Sequence, residues 1–267
     1  SHWAHLPALF ITSQVDDQTT APVAGETPAE GSVYVEGEGS AVGLTYDSQR
    51  GELHLLREVE MVFRAAAGAQ PAAAEPSTDD PMSISGGDLV YRRDDRLIHL
   101  SGAATMRHGR QELQAGQITL ELDDDMRARR LVAQDHPVLH NPNGDSDVSL
   151  SADELEAPLG TAGRPERVVA AGNVVLNALR ADGRHQLTAT SSTLDLLPES
   201  QQPRHFTATG NVAVLSSLQD GSMRRLETSQ LEVYFVSLGG DDSRIDRATA
   251  SSATTRRWRS ARSTSCF

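Results

Sequence analysis

The sequence predicts an all-β chain of repeated antiparallel hairpins, stacked one on the next like a solenoid. Three observations carry this. One phrase, apolar and small residues alternating into Gly-Asn-Val, occurs as "RVVAAGNVVL" at 167–176 and returns as "HFTATGNVAVL" at 205–215. Extended segments with an apolar residue at every second position recur along the chain, separated by turns rich in Asp, Gly, Pro and Ser. Aromatic residues are only 4% and apolar residues 38% of the 267 residues, thin for a large globular core and better suited to stacked repeats.

A weak first copy is "GSAVGLTYD" at 39–47, with Leu44 and Tyr46. Five clearer copies follow: "ISGGDLVY" (84–91), "LQAGQITLEL" (113–122), "LSADELEA" (150–157), "LTATSSTLDL" (187–196) and "LETSQLEVYF" (226–235). Each opens on an apolar residue and carries a small one two places later: Gly86, Ala115, Ala152, Ala189, Thr228. The sixth position is apolar in four of them, as Leu89, Ile118, Leu155 and Leu231; the remaining copy has Ser192 there and recovers with Leu194 and Leu196. Polar turns follow the copies: "DSQRGE", "RRDD", "DDDMRA", "GTAGRPE", "PESQQP" and "SLGGDDS".

After each turn comes a second kind of strand: "ELHLLREVEMVF" (52–63), "LIHLSGAATM" (97–106), "RLVAQDHPVLH" (130–140) and the two Gly-Asn-Val segments. A sixth, "SRIDRATASS" (243–252), begins and then decays. Apart from Arg57 and Asp135, every second residue is apolar or small, as in Phe206, Ala208, Gly210, Val212 and Val214, which gives each strand one apolar face. The spacings of three and four that a helix needs are missing. Gly102, Gly172 and Gly210 sit mid-strand on that face, where glycine signals a bulge or bend. Arg57–Glu58 and Asp135–His136 fill the equivalent places in the first and third units, without that signal. A bend at one level of every hairpin folds a flat sheet over into a groove or flattened barrel. Gly172 and Gly210 are then expected at equivalent points on neighbouring rungs, with Val174 and Val212 pointing inward.

The organisation read from the chain is an irregular lead over 1–31, the repeat domain over 32–250 with an Ala/Pro-rich loop at 65–82, and a disordered or extraneous basic tail at 251–267. The net charge of −13 argues against a nucleic-acid partner and against adsorption to anionic membranes. No run of 18 apolar residues spans a membrane, and the chain starts at Ser1 without a signal peptide. The single cysteine, Cys266, closes neither a disulfide nor a zinc site. His136 and His140 beside Asp135 tempt a metal reading, but a solvated strand end accounts for them. "DDD" at 123–125 and "GGDD" at 239–242 lack the ordered ligand spacing of a calcium loop. "GEGSAVG" at 37–43 lacks the lysine and helix of a phosphate loop. No nucleophile and base pair up in the sequence, so neither an enzyme nor a metal or cofactor is expected.

The tandem unit, an "apolar-x-Ala-x-x-apolar-x-apolar" strand, a polar turn, then "apolar-x-Ala-x-Gly-Asn-Val-x-apolar", resembles the OstA-like lipopolysaccharide-transport family. That family comprises the periplasmic LptA and LptC proteins and the N-terminal domain of LptD. The resemblance covers roughly 39–250 and is strongest over 187–215. It implies an open β-jellyroll, folded like a taco, whose interior carries the acyl chains of lipopolysaccharide, and whose end strands stack on like components or on a second copy. It implies a periplasmic location, free or held at the inner membrane through a segment upstream of Ser1. The Ala/Pro-rich segment and the Arg- and Ser-rich tail depart from the pattern.

The lining implied for the lipid lies on the apolar faces. The first kind of strand supplies Leu89 and Tyr91, Ile118 and Leu120, Leu155, Leu194 and Leu196, and Leu231 and Val233. The second kind supplies Leu100 and Met106, Leu131 and Leu139, Val168, Val174 and Leu176, and Phe206, Val212 and Val214. Small residues such as Ala115, Ala133, Ala170, Ala189 and Ala208 leave room between them. Two other readings stay open: a structural β-solenoid that assembles without lipid, its apolar face packed dry, and, least supported, a calcium-dependent repeat module.

Overall fold

The computed structural model describes residues 35–65, 82–124, 127–143, 146–160, 164–198, 200–239 and 242–251. The lead, the Ala/Pro-rich loop between Ala65 and Met82, and the tail beyond Ser251 lie outside them. The described chain is all β, without a helix. Its strands are β1 (Val35–Ser40), β2 (Leu44–Asp47), β3 (Glu52–Ala65), β4 (Met82–Arg92), β5 (Leu97–His108), β6 (Gln111–Leu122), β7 (Ala128–Gln134), β8 (Val138–Asn143), β9 (Ser146–Ser151) and β10 (Glu154–Pro158). Five longer ones follow: β11 (Arg167–Arg180), β12 (Gly183–Leu196), β13 (Pro203–Leu218), β14 (Met223–Gly239) and β15 (Asp242–Ser251).

All fifteen belong to one antiparallel sheet that does not close on itself. It is a meander of stacked hairpins with jellyroll character. Three rungs consist of two strands each: β1 with β2, β7 with β8, and β9 with β10. β6, for example, pairs β7 through Gln117–Leu122 and β8 through Glu112–Gln114. The fifteen strands therefore make twelve rungs. The segments 130–140 and 150–157, expected as single strands, are single rungs broken at mid-length. Pro137 has no N–H for a ladder bond. At the other break, the Asp153 N–H turns to the carbonyls of Ala171 and Gly172, at 3.1 and 2.9 Å. The segment at 243–252, expected to decay, is instead a strand paired to β14 from Asp242 to Ser251.

A crease crosses the rungs at one level from the first as far as β14. On every second rung it is made by two successive residues with positive φ: Arg57–Glu58 (57° and 52°), Gly102–Ala103 (75° and 56°), Asp135–His136 (65° and 59°), Gly172–Asn173 (73° and 47°) and Gly210–Asn211 (74° and 51°). These left-handed pairs interrupt the ladder as bulges. Gly172 and Asn173 lie between Ala171 and Val174, opposite Thr190 alone. The bend is thus present at Arg57–Glu58 and Asp135–His136 too, where no glycine announces it. Gly172 and Gly210 are not on neighbouring rungs: β12 lies between β11 and β13. The intervening rungs supply the small residues Gly86, Ala115, Ala152, Ala189 and Thr228, because the creased backbone leaves little space beside them.

The crease divides the sheet into two arms. β1, β8 and β9 lie wholly in the first arm, and β2, β7, β10 and β15 wholly in the second; the long strands run through both. Extensive contacts between elements run between sheet neighbours, as in a solenoid. Burial is most complete beside the crease. Val59, Ala104, Ala133, Ala170, Val174, Ala208 and Val212 are at most 1% exposed.

Candidate functional site

Directly paired residues share a face, so the register sorts side chains into columns across the rungs. Inner positions can be counted outward from the crease. In the second arm the first column includes Leu55, Leu89, Leu100, Ile118, Leu155 and Leu231, all buried. The next column holds Tyr91, Ile98, Leu120, Leu131, Val168, Leu194, Phe206 and Val233. In the first arm the corresponding second column is Met61, Ile84, Met106, Leu113, Leu139, Leu150, Leu176, Leu187, Val214 and Leu226. Together they form one apolar strip from β3 to β14.

Every lining residue named from the sequence stands on this inner face. Leu89, Leu100, Ile118, Leu120, Leu155, Val174, Val212, Leu231 and Val233 are buried. Tyr91, Met106, Leu131, Leu139, Val168, Leu176, Phe206 and Val214 are partly exposed and pack against that core. Leu194 and Leu196 are also partly exposed. Gly102, Gly172 and Gly210 lie in the crease itself. The sequence reading missed Ile84, Leu113, Leu150, Leu187 and Leu226. A signal existed for them, because each is the apolar residue that opens its copy of the repeat. Exposure rises away from the crease, so the arms make a trough with a packed floor and partly open apolar walls. Ser192 is 5% exposed on that floor, at the one place where the repeat lacks its apolar residue.

The outer face is polar. Arg130 on β7 donates to Glu121 on β6 at 2.7 Å and to Glu156 on β10 at 2.8 Å. The hydrogen bond to Arg130 holds the Glu156 carboxyl below its ordinary pKa, against a smaller opposing effect of burial. Further on, Arg167, Asp195, His205, Tyr234 and Arg247 form one transverse row over β11 to β15. Arg167 donates to Asp195 at 2.6 Å, His205 lies 3.4 Å from the same carboxylate and stacks on Tyr234 at 4.5 Å, and the Arg247 guanidinium lies over the Tyr234 ring, 4.4 Å from its centroid. Burial raises the Asp195 pKa, but Arg167 and His205 together outweigh it and leave the group more acidic than usual.

Two recesses lie apart from the apolar strip's walls. One of about 460 Å³ sits at the crease beside Glu58, Glu60, Gly87 and Gly102. The other, about 510 Å³, is outside the first arm beside His140, Asp147, Ser149, Asn177 and Arg184. His136 faces Asp153 at 3.9 Å and His140 faces Asp147 at 2.5 Å, so the two histidines belong to separate pairs. Among the described residues no three His, Cys, Asp or Glu side chains converge to hold a metal ion.

Among the described residues both ends of the sheet are open edges. At the N-terminal end Leu44 and Tyr46 continue the inner face and are 40% and 61% exposed. At the other end Ile245, opposite Phe235, is 56% exposed. No protein-family model, no curated protein and no solved structure matches this chain.

Proposed function

We propose that this protein is a lipid-carrying bridge module of the OstA-like kind. It holds the acyl chains of lipopolysaccharide in the trough between its arms, works in the periplasm, and joins like modules edge to edge. The observation that carries this reading is the apolar strip, which runs across the rungs from β3 to β14 and stays partly exposed on both walls. Moving acyl chains through water costs about 0.8 kcal/mol per exposed CH₂. Aliphatic walls offset that cost without directional bonds, so a chain can slide along them. The exposed inner-face residues Leu44, Tyr46 and Ile245 at the two open edges support continuation of the strip into a neighbouring module.

Lipopolysaccharide carrying a photoreactive group on an acyl chain tests this directly. Adducts are expected on the peptides 168–176 and 206–214. Adducts confined to outer-face positions, or none, would sink the proposal. The rival reading, a solenoid that assembles without cargo, draws on the dry packing beside the crease. It requires that the partly exposed walls close against each other, and the same experiment would then yield no adduct.

A further inference from the structure

The apolar floor of the trough is broken on β12. In the first inner column of the second arm, β4, β6, β10 and β14 place Leu89, Ile118, Leu155 and Leu231; β12 places Ser192 there. Its partners across the ladder are Ala170 on β11 and Ala208 on β13, so three short side chains in a row stand between Leu155 and Leu231. Val168, Leu194 and Phe206, one column outward, flank this notch and are partly exposed. Ser192 is 5% exposed, and its hydroxyl has no hydrogen-bond partner among the described residues. The buried hydroxyl of Thr228 on β14 is occupied, since it donates to the carbonyl oxygens of Gln230 and Ser251 at 2.9 and 2.6 Å. Ser191, on the outer face of β12, pairs with the Thr209 hydroxyl at 2.7 Å. A buried hydroxyl without a partner works against the fold, and a ligand atom that bonds to it removes that cost.

We infer that Ser192 is a selectivity site on the trough floor, where its hydroxyl binds a hydroxyl group carried on an acyl chain. This rests on the lipid-carrying reading above and names the chains that the trough favours. A serine hydroxyl donates one hydrogen bond and accepts others, and an alcohol on a chain does the same, so the two pair in either sense. Ala170 and Ala208 leave room for that alcohol beside Ser192, where a leucine at position 192 would fill it. Against the aliphatic side chains elsewhere on the strip, the alcohol would be buried with its hydrogen bonds unmade. A hydroxylated chain sliding along the strip is therefore favoured in the register that brings its alcohol to Ser192. An unsubstituted chain gains nothing there.

The test uses stearic acid and its mid-chain hydroxy derivative, titrated calorimetrically into the full chain and into the variants Ser192→Ala and Ser192→Thr. Ser192→Ala should weaken the hydroxy acid about fivefold, the scale of one neutral hydrogen bond, and leave stearic acid unchanged. Ser192→Thr keeps a hydroxyl and should keep the parent's ratio of the two affinities. The melting midpoint of Ser192→Ala without lipid should not fall, because the change removes no bond within the protein. A ratio of affinities that is the same in the parent and in Ser192→Ala overturns the selectivity site while leaving lipid carriage intact. If neither acid binds the parent, this inference falls together with the lipid-carrying reading.

Discussion

At the scale of single residues the crease is the most demanding place in the chain. A non-glycine residue with positive φ costs about 1–2 kcal/mol, and each of the five left-handed pairs at the crease places a non-glycine residue second. Asn211 is an acceptable occupant, since asparagine tolerates this region better than most. Asn211→Gly is accordingly expected to change stability by only a few tenths of a kcal/mol. Gly102 is different. Its φ is 75°, and an added Cβ would meet the Gly87 Cα at 3.0 Å and the Gly87 nitrogen at 3.2 Å. Both are backbone atoms that cannot rotate away. Gly102→Ala should therefore cost about 2 kcal/mol or more, as strain and crowding add. Urea unfolding of the two variants against the parent checks the contrast. Equal midpoints for Gly102→Ala and the parent would mean that the close approach of β4 and β5 is not needed.

At the scale of strands, alternation was legible because it is local: a period of two in the sequence becomes one face of a strand without help from elsewhere. Phe206, Ala208, Val212 and Val214 could be placed inward on that basis alone. The bends at Arg57–Glu58 and Asp135–His136 were not legible, because neighbouring rungs impose the left-handed backbone there and the residues do not favour it. One inner column of the first arm, outward of Leu139, Leu176, Leu187 and Val214, was hidden for another reason. Asn141, His185, Ser216 and Arg224 are far apart in sequence, and only the register brings them into one column. Ion pairs between strands were hidden in the same way, and the pair of bonds at Arg130 has a consequence for pH. Glu156 and, through Arg107, Glu112 ionise more readily in the fold than in the unfolded chain. Their contribution is complete above the unfolded carboxylate pKa of about 4.3, and is lost as the pH falls through the depressed folded values. The Arg130 and Glu156 side chains are 39% and 34% exposed, so the effect is screened and stays below about 1 kcal/mol. Arg130→Met should lower the urea midpoint at pH 7, and the gap to the parent should shrink steadily below about pH 4. A gap that is constant with pH would assign Arg130 a packing role only.

At the scale of the whole molecule, the number of rungs decides how copies can join. The twelve antiparallel rungs of the described residues leave the first and last running in opposite directions, so β15 of one copy and β2 of another can pair without breaking the alternation. An odd number would force a parallel joint. The edge chemistry is complementary as well. One outer column runs from Asp47 through Glu52 and Arg92 at the N-terminal end, and the same column closes at the other end with Tyr234 and Arg247. If the register continues across the joint, Arg247 of one copy meets Asp47 of the next, while Ala250 and Ala248 cover the exposed Leu44 and Tyr46 of the inner face. The stacked Tyr234 ring holds the Arg247 guanidinium at the edge in advance. Head-to-tail association of the full chain should therefore rise with concentration and fall with salt, as a partly exposed charge pair requires. Asp47→Arg alone and Arg247→Asp alone should each weaken it, because each sets like charges across the joint. The two changes in one chain should restore it, since the pair is then reversed rather than removed. Sedimentation velocity across a range of concentrations reads all four proteins. Association that ignores both single changes would move the joint away from this column, and a parent that stays monomeric throughout would leave β2 and β15 to a different partner.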